Sequence, residues 1–142
     1  MAECFPAIFV SHGAPTLPLE AIAARDFLSG LGNTLGTPEA ILVVSAHWEN
    51  GEAMVSGVDR PETIHDFFGF PQELYRLAYP APGAPRLAAR VSGLLVEKGI
   101  ATHVHATRGL DHGAWVPLLL MYPQADIPVT QLTVQPELGA DH

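Results

Sequence analysis

The chain has 142 residues, 48% of them hydrophobic and 15% charged, with a formal net charge of -8. That is one domain's worth of chain, with apolar residues enough for a packed core, and the composition argues against disorder. The few basic residues form no stripe, which speaks against a nucleic-acid surface, and no segment reaches the ~18 apolar residues of a membrane span.

A single cysteine, Cys4, cannot form an internal disulfide and reads as a residue without a role in a reducing compartment. The N-terminus lacks the basic start and apolar run of a signal peptide, so a cytoplasmic protein is expected. Seven histidines against seven Lys plus Arg is an unusual balance. It matters only if several of them meet in space.

Taken in order, residues 6–10 read as a first strand, closed by Ser11-His12-Gly13-Ala14-Pro15-Thr16 as a loop. Residues 19–31 carry apolar side chains near helical spacing, and the glycines that follow mark an exit. The run Ile41-Leu42-Val43-Val44 reads as a buried strand, ending in Ser45-Ala46-His47-Trp48. Strand, helix and strand would make a right-handed crossover with its two strands parallel. His12 and His47 would then sit at the same rim, outside the carboxyl ends of neighbouring strands, where ligands of open α/β sheets bind.

A third strand is expected over 53–58, followed by a long aromatic stretch through Thr63-Ile64-His65-Asp66-Phe67-Phe68-Gly69-Phe70. Residues 84–98 form the clearest helix, with Pro85 in its first turn and Gly99 at its end. A fourth strand at 102–106 leads into Arg108-Gly109-Leu110-Asp111-His112-Gly113, a third exit bearing a histidine. A short apolar helix over 114–122 and a fifth strand over 128–134 follow. The expected fold is α/β, a three-layer sandwich with a mostly parallel central sheet and a single domain over 1–142. A last strand without a covering helix leaves a face bare, which favours association with another copy or a complementing chain.

Imidazole suits Fe, Zn and Cu, so histidines converging on one rim point to a metal. The spacing is no local metal signature, and loop histidines bonded to backbone are the plain alternative. His112 also suits general acid–base work, its unperturbed pKa lying near ~6.5. Asp66 is a carboxylate near the supposed metal or simply a turn former. Trp48, Phe67, Phe68, Phe70, Tyr79 and Trp115 offer an aromatic wall or ordinary core. No nucleophile elbow, P-loop or dinucleotide-binding glycine motif is present.

Five stretches in order (Ser11-His12-Gly13-Ala14-Pro15, Ser45-Ala46-His47-Trp48, Thr63-Ile64-His65-Asp66-Phe67, Tyr79-Pro80-Ala81-Pro82-Gly83 and Leu110-Asp111-His112-Gly113-Ala114-Trp115) resemble successive motifs of the class III extradiol ring-cleavage dioxygenases and, among these, of the DOPA 4,5-dioxygenase branch. The resemblance covers nearly the whole chain but only the N-terminal half of the family's catalytic domain. It implies a non-haem Fe(II) centre, with zinc as the alternative, and insertion of both atoms of O2 into a small aromatic diol. It implies His12 and His47 as metal ligands, His112 as the catalytic histidine of the D-H-G stretch and His65 as a pocket residue; His112 and His65 are taken as catalytic groups, and Trp48, Phe68 and Asp111 are expected to face substrate. The family's later half supplies further ligands that find no match here, so the chain by itself is expected to have little activity. Two other readings stay open: a non-catalytic truncated paralogue or zinc-binding subunit completed by a partner, and a zinc hydrolase on a related scaffold.

Overall fold

The computed structural model describes residues 5–140 and 142; Cys4 lies outside them. After a 3-10 turn at Leu17–Leu19 come helix α1 (Ala23–Leu35), strands β1 (Ile41–Glu49) and β2 (Ala53–Ser56), and a second 3-10 turn at Leu74–Arg76. Helix α2 (Pro85–Glu97), strand β3 (Thr102–His105), helix α3 (His112–Met121) and strand β4 (Val129–Val134) complete the domain.

Local chemistry accounts for the element ends. Pro85 opens α2, where its missing N–H has no partner to lose. Gly99, at φ +80°, closes it, with Gly99 N–H donating to the Val96 carbonyl at 2.9 Å and Ile100 N–H to that of Leu95 at 2.9 Å. Helix α3 is apolar all round, and eight of its ten residues are buried. A helix of that kind belongs in the centre of a domain rather than on its surface.

The four strands lie in the order β1-β4-β2-β3. β1 runs parallel to β4, β2 runs parallel to β3, and the two pairs join antiparallel at Val55 and Leu132. Helix α1 packs on α3, α3 packs on β1, and α2 lies against β2, β3 and β4. Ile41 and Val43 of β1 and Val129 of β4 join the core around α3, so strand alternation turns Gln131 the same way. Leu132 and Val134 point to the other face, where they line a shallow cleft with Leu95 of α2. The sheet thus has helices on both faces, and the α/β three-layer expectation holds.

One expected element is missing. Residues 6–10 form no strand, and Ile8 and Phe9 are 46% and 99% exposed. A single extended run becomes a strand only when a neighbour takes its backbone hydrogen bonds. The neighbour expected, β1, is paired instead with β4. The parallel crossover of this chain is β2–α2–β3. As a result β1 is an edge strand, and the face of Leu42 and Val44 has no helix over it, leaving them 39% and 57% exposed. The other element ends lie within a few residues of expectation.

Candidate metal centre

Three histidines from three different elements meet at one end of β1. His12 comes from the irregular segment between Val10, which packs on the core, and the buried Leu17, whose turn lies against α3. His47 comes from β1, beyond Val44, where the register with β4 shifts. His112 is the first residue of α3. His12 Nε2 lies 3.1 Å from His47 Nε2. The His12 ring centroid is 5.2 Å from that of His47 and 4.8 Å from that of His112, and His47 and His112 are 4.0 Å apart. One ring nitrogen from each falls within 4.8 Å of the others, and among the described residues this is the one such group able to hold a metal ion.

The close approach of α3 to β1 depends on Gly113. A Cβ there would stand 2.3 Å from Ser45 Oγ and 2.8 Å from His47 Cδ2. Any other residue would have to displace the Ser45 and His47 side chains or the first turn of α3, and either disturbs the histidine group.

Asp66 orients His112. Its Oδ1 accepts the His112 Nδ1–H at 2.7 Å and the His112 backbone N–H at 3.0 Å. The second bond satisfies an amide at a helix start, where negative charge is favoured. Because a carboxylate only accepts, Nδ1 must carry the proton, which leaves Nε2 as the ring's acceptor nitrogen. Burial alone would raise the Asp66 carboxyl, but the hydrogen bonds from His112 outweigh it and hold the group below its usual range. His12 is pushed below its usual value by burial first, then by the neighbouring His112 and His47. It is therefore neutral at neutral pH, as a metal ligand must be. A neutral imidazole, a second one 3.1 Å away and a third backed by a carboxylate form a donor set that fits a divalent transition metal.

The stretch bearing Asp66 is tied down by α3 and its approach. Ile64 N–H donates to the Leu110 carbonyl and Leu110 N–H to that of Glu62, both at 2.8 Å, and Trp115 Nε1–H reaches the Ile64 carbonyl at 2.9 Å. The ring of Phe67 then meets His112 edge-on, centroids 5.6 Å apart.

Four further residues expected in the site do not join the histidine group. His65 bonds through Nε2 to the Leu77 carbonyl at 2.9 Å and packs among Phe67, Tyr75 and Trp115. It lies behind Phe67, outside the histidine group. Phe68 is 91% exposed, and it is its neighbour Phe67 that touches His112. Trp48 is buried under the Arg108 guanidinium, 5.1 Å from its ring centroid, and against His105. Asp111 is fully buried, its oxygens bonded to Ser45, Arg108 and Gln131. Gln131 is the polar residue that sequence reasoning passed over; its one signal was an amide within the strand Val129–Val134.

An α/β sheet with three histidines gathered at one strand end places the chain in a class of domains that could hold a metal ion. The chain belongs, within that class, to the catalytic LigB subunit family of aromatic ring-opening dioxygenases, whose model matches residues 6–141. It is 48% identical over 138 residues to a 4,5-DOPA dioxygenase extradiol of Beta vulgaris, covering 94% of this chain and 52% of that protein. It is 47% identical over 129 residues to a 4,5-DOPA dioxygenase extradiol of Escherichia coli K12, covering 91% and 47%. The crystal structure of an uncharacterized protein from Escherichia coli K12 superposes with a TM-score of 0.64 at 35% identity, covering 84% of this chain and 45% of that one. The chain thus spans about half the length of the curated relatives it matches.

Proposed function

We propose that the chain carries the metal-binding half of an extradiol dioxygenase centre acting on a small catechol of the DOPA type. The convergence of His12, His47 and His112 at one strand end is the observation that supports this reading, together with family membership. His12 and His47 would hold Fe(II), with zinc as the alternative. When bound, the ion supplies a chelation point for both catechol oxygens and open positions for O2, whose two atoms end in the ring-opened product.

The chain's own residues have the remaining tasks. His112 accepts a catechol hydroxyl proton at Nε2, while Asp66 holds Nδ1–H and stabilises the imidazolium that results. Phe67, packed edge-on against the His112 ring, limits water on that side of the imidazole. His65 acts only through its contact with Phe67. Two imidazole ligands without the remaining ligands of a complete centre bind weakly, so turnover by the chain alone is expected to be low. A complementing polypeptide equivalent to the relatives' other half is expected at the β1 edge, where Leu42 and Val44 are uncovered. The expected compartment is the cytoplasm, in keeping with the single cysteine.

Anaerobic reconstitution with Fe(II), metal content by mass spectrometry and oxygen uptake with DOPA test the proposal. His12→Ala and His47→Ala should each lower metal occupancy. If neither does, the ligand assignment fails. Brisk oxygen uptake by the 142-residue chain would instead overturn the expectation of low turnover.

A further inference from the structure

A fully buried carboxylate lies beneath the histidine group, and the chemistry above does not use it. Asp111 Oδ1 accepts the Ser45 hydroxyl at 2.8 Å. Its Oδ2 accepts Arg108 NH2 at 3.1 Å and the Gln131 side-chain amide. Gln131 returns the contact, its Oε1 accepting the Asp111 backbone N–H at 3.4 Å. Asp111 and Gln131 are both 0% exposed. Burying an amide and a carboxylate is costly unless each finds partners, and here each meets the other.

What this group holds is His47. Ser45 Oγ gives its proton to Asp111 and accepts the His47 backbone N–H at 3.2 Å. Arg108 NH2 lies 3.5 Å from the His47 carbonyl, at the limit of a hydrogen bond. The peptide groups on both sides of the His47 Cα are therefore addressed by groups bound to one carboxylate. Gln131 pairs in register with Val43, two residues before Ser45, on the face of the sheet that meets α3. The segment of β1 that bears His47 has lost its regular pairing with β4. Side-chain bonds take the place of the ladder there.

We propose that Gln131, through Asp111 and Ser45, is a positioning residue that sets the orientation of His47 toward a metal ion. Gln131 touches none of the three imidazoles. It keeps the Asp111 carboxylate turned toward Ser45, and Ser45 then fixes the His47 amide. The inference rests on the reading of His12 and His47 as metal ligands.

Cobalt(II), titrated anaerobically into the metal-free full chain, is the probe, read by its visible absorption band and its affinity. Far-UV circular dichroism and thermal unfolding without metal run alongside. Wild type should bind one ion, and His47→Ala should abolish binding. Gln131→Leu and Ser45→Ala should each weaken affinity about 10- to 100-fold and shift the absorption band in the same way. The double variant should lose little more than either single one, because both interrupt one chain of bonds. Folded variants with wild-type affinity and band position, whatever their melting temperature, would overturn the relay and leave the metal reading standing. If Gln131→Leu does not fold, Ser45→Ala decides, since it removes one hydroxyl and leaves the Asp111–Gln131–Arg108 contacts in place. A wild type that binds no cobalt would overturn both.

Discussion

Gly113 shows how tightly single residues constrain this site. Its hydrogen occupies space that a methyl would share with Ser45 Oγ and the His47 ring. Gly113→Ala should therefore lower metal affinity at least tenfold, measured by competition with a chelating dye. Overpacking of this kind typically destabilises by about 1–3 kcal/mol, so the chain should still fold. Asp66 illustrates the opposite situation, in which one carboxylate does two jobs by satisfying a helix-start amide and selecting a tautomer of His112. From sequence alone it could be a turn former as easily as a site residue. Only its contact with a residue 46 positions away distinguishes the two.

Among the elements, the aromatic stretch before α2 is the one that packing defines. Tyr79 is fully buried, and its hydroxyl donates to the Tyr122 carbonyl at 3.1 Å. Burial, with smaller contributions from Asp126 and Tyr122, pushes its pKa up to about 12 from 10.0. A folded-state value above the unfolded one means stability that is intact below pH 10 and lost as pH rises toward 12. The melting temperature should fall more steeply across that window in wild type than in Tyr79→Phe. At neutral pH the variant should be less stable by about 1 kcal/mol for the lost hydrogen bond. Helix ends were legible because Pro85 and Gly99 act locally. The strand expected at 6–10 was not, because β-pairing is a property of two segments and the periodicity of one does not reveal its partner. His105 is similar: the strand expected over 102–106 ends one residue earlier, at His105, whose Nδ1 accepts the Thr107 and Arg108 amides at 3.3 and 3.1 Å, shaping the turn toward His112.

For the whole molecule, the consequence is an uncovered edge. Helices cover one face along β1 and the other along β2 and β3, and the strip with Leu42 and Val44 is left between solvent and sheet. An apolar sheet edge of that kind invites another strand or chain. The isolated chain should bind a hydrophobic dye and scatter light increasingly with concentration, and a Leu42→Glu, Val44→Glu double variant should do neither. Equal dye binding by the variant would show that the apolar surface lies elsewhere.

The order and type of most elements, the histidines His12, His47 and His112 as site candidates, and the family resemblance were all determined by the sequence itself. Apolar periodicity, proline, glycine and short motifs act within a few residues and need no knowledge of the remainder of the chain. The tertiary structure alone decided that β1 pairs with β4, that His112 faces Asp66, that His65 stands behind Phe67, and that Asp111 looks inward to Gln131. Each of these is a contact between distant segments. It depends on which surfaces bury one another, and local spacing carries no record of that choice.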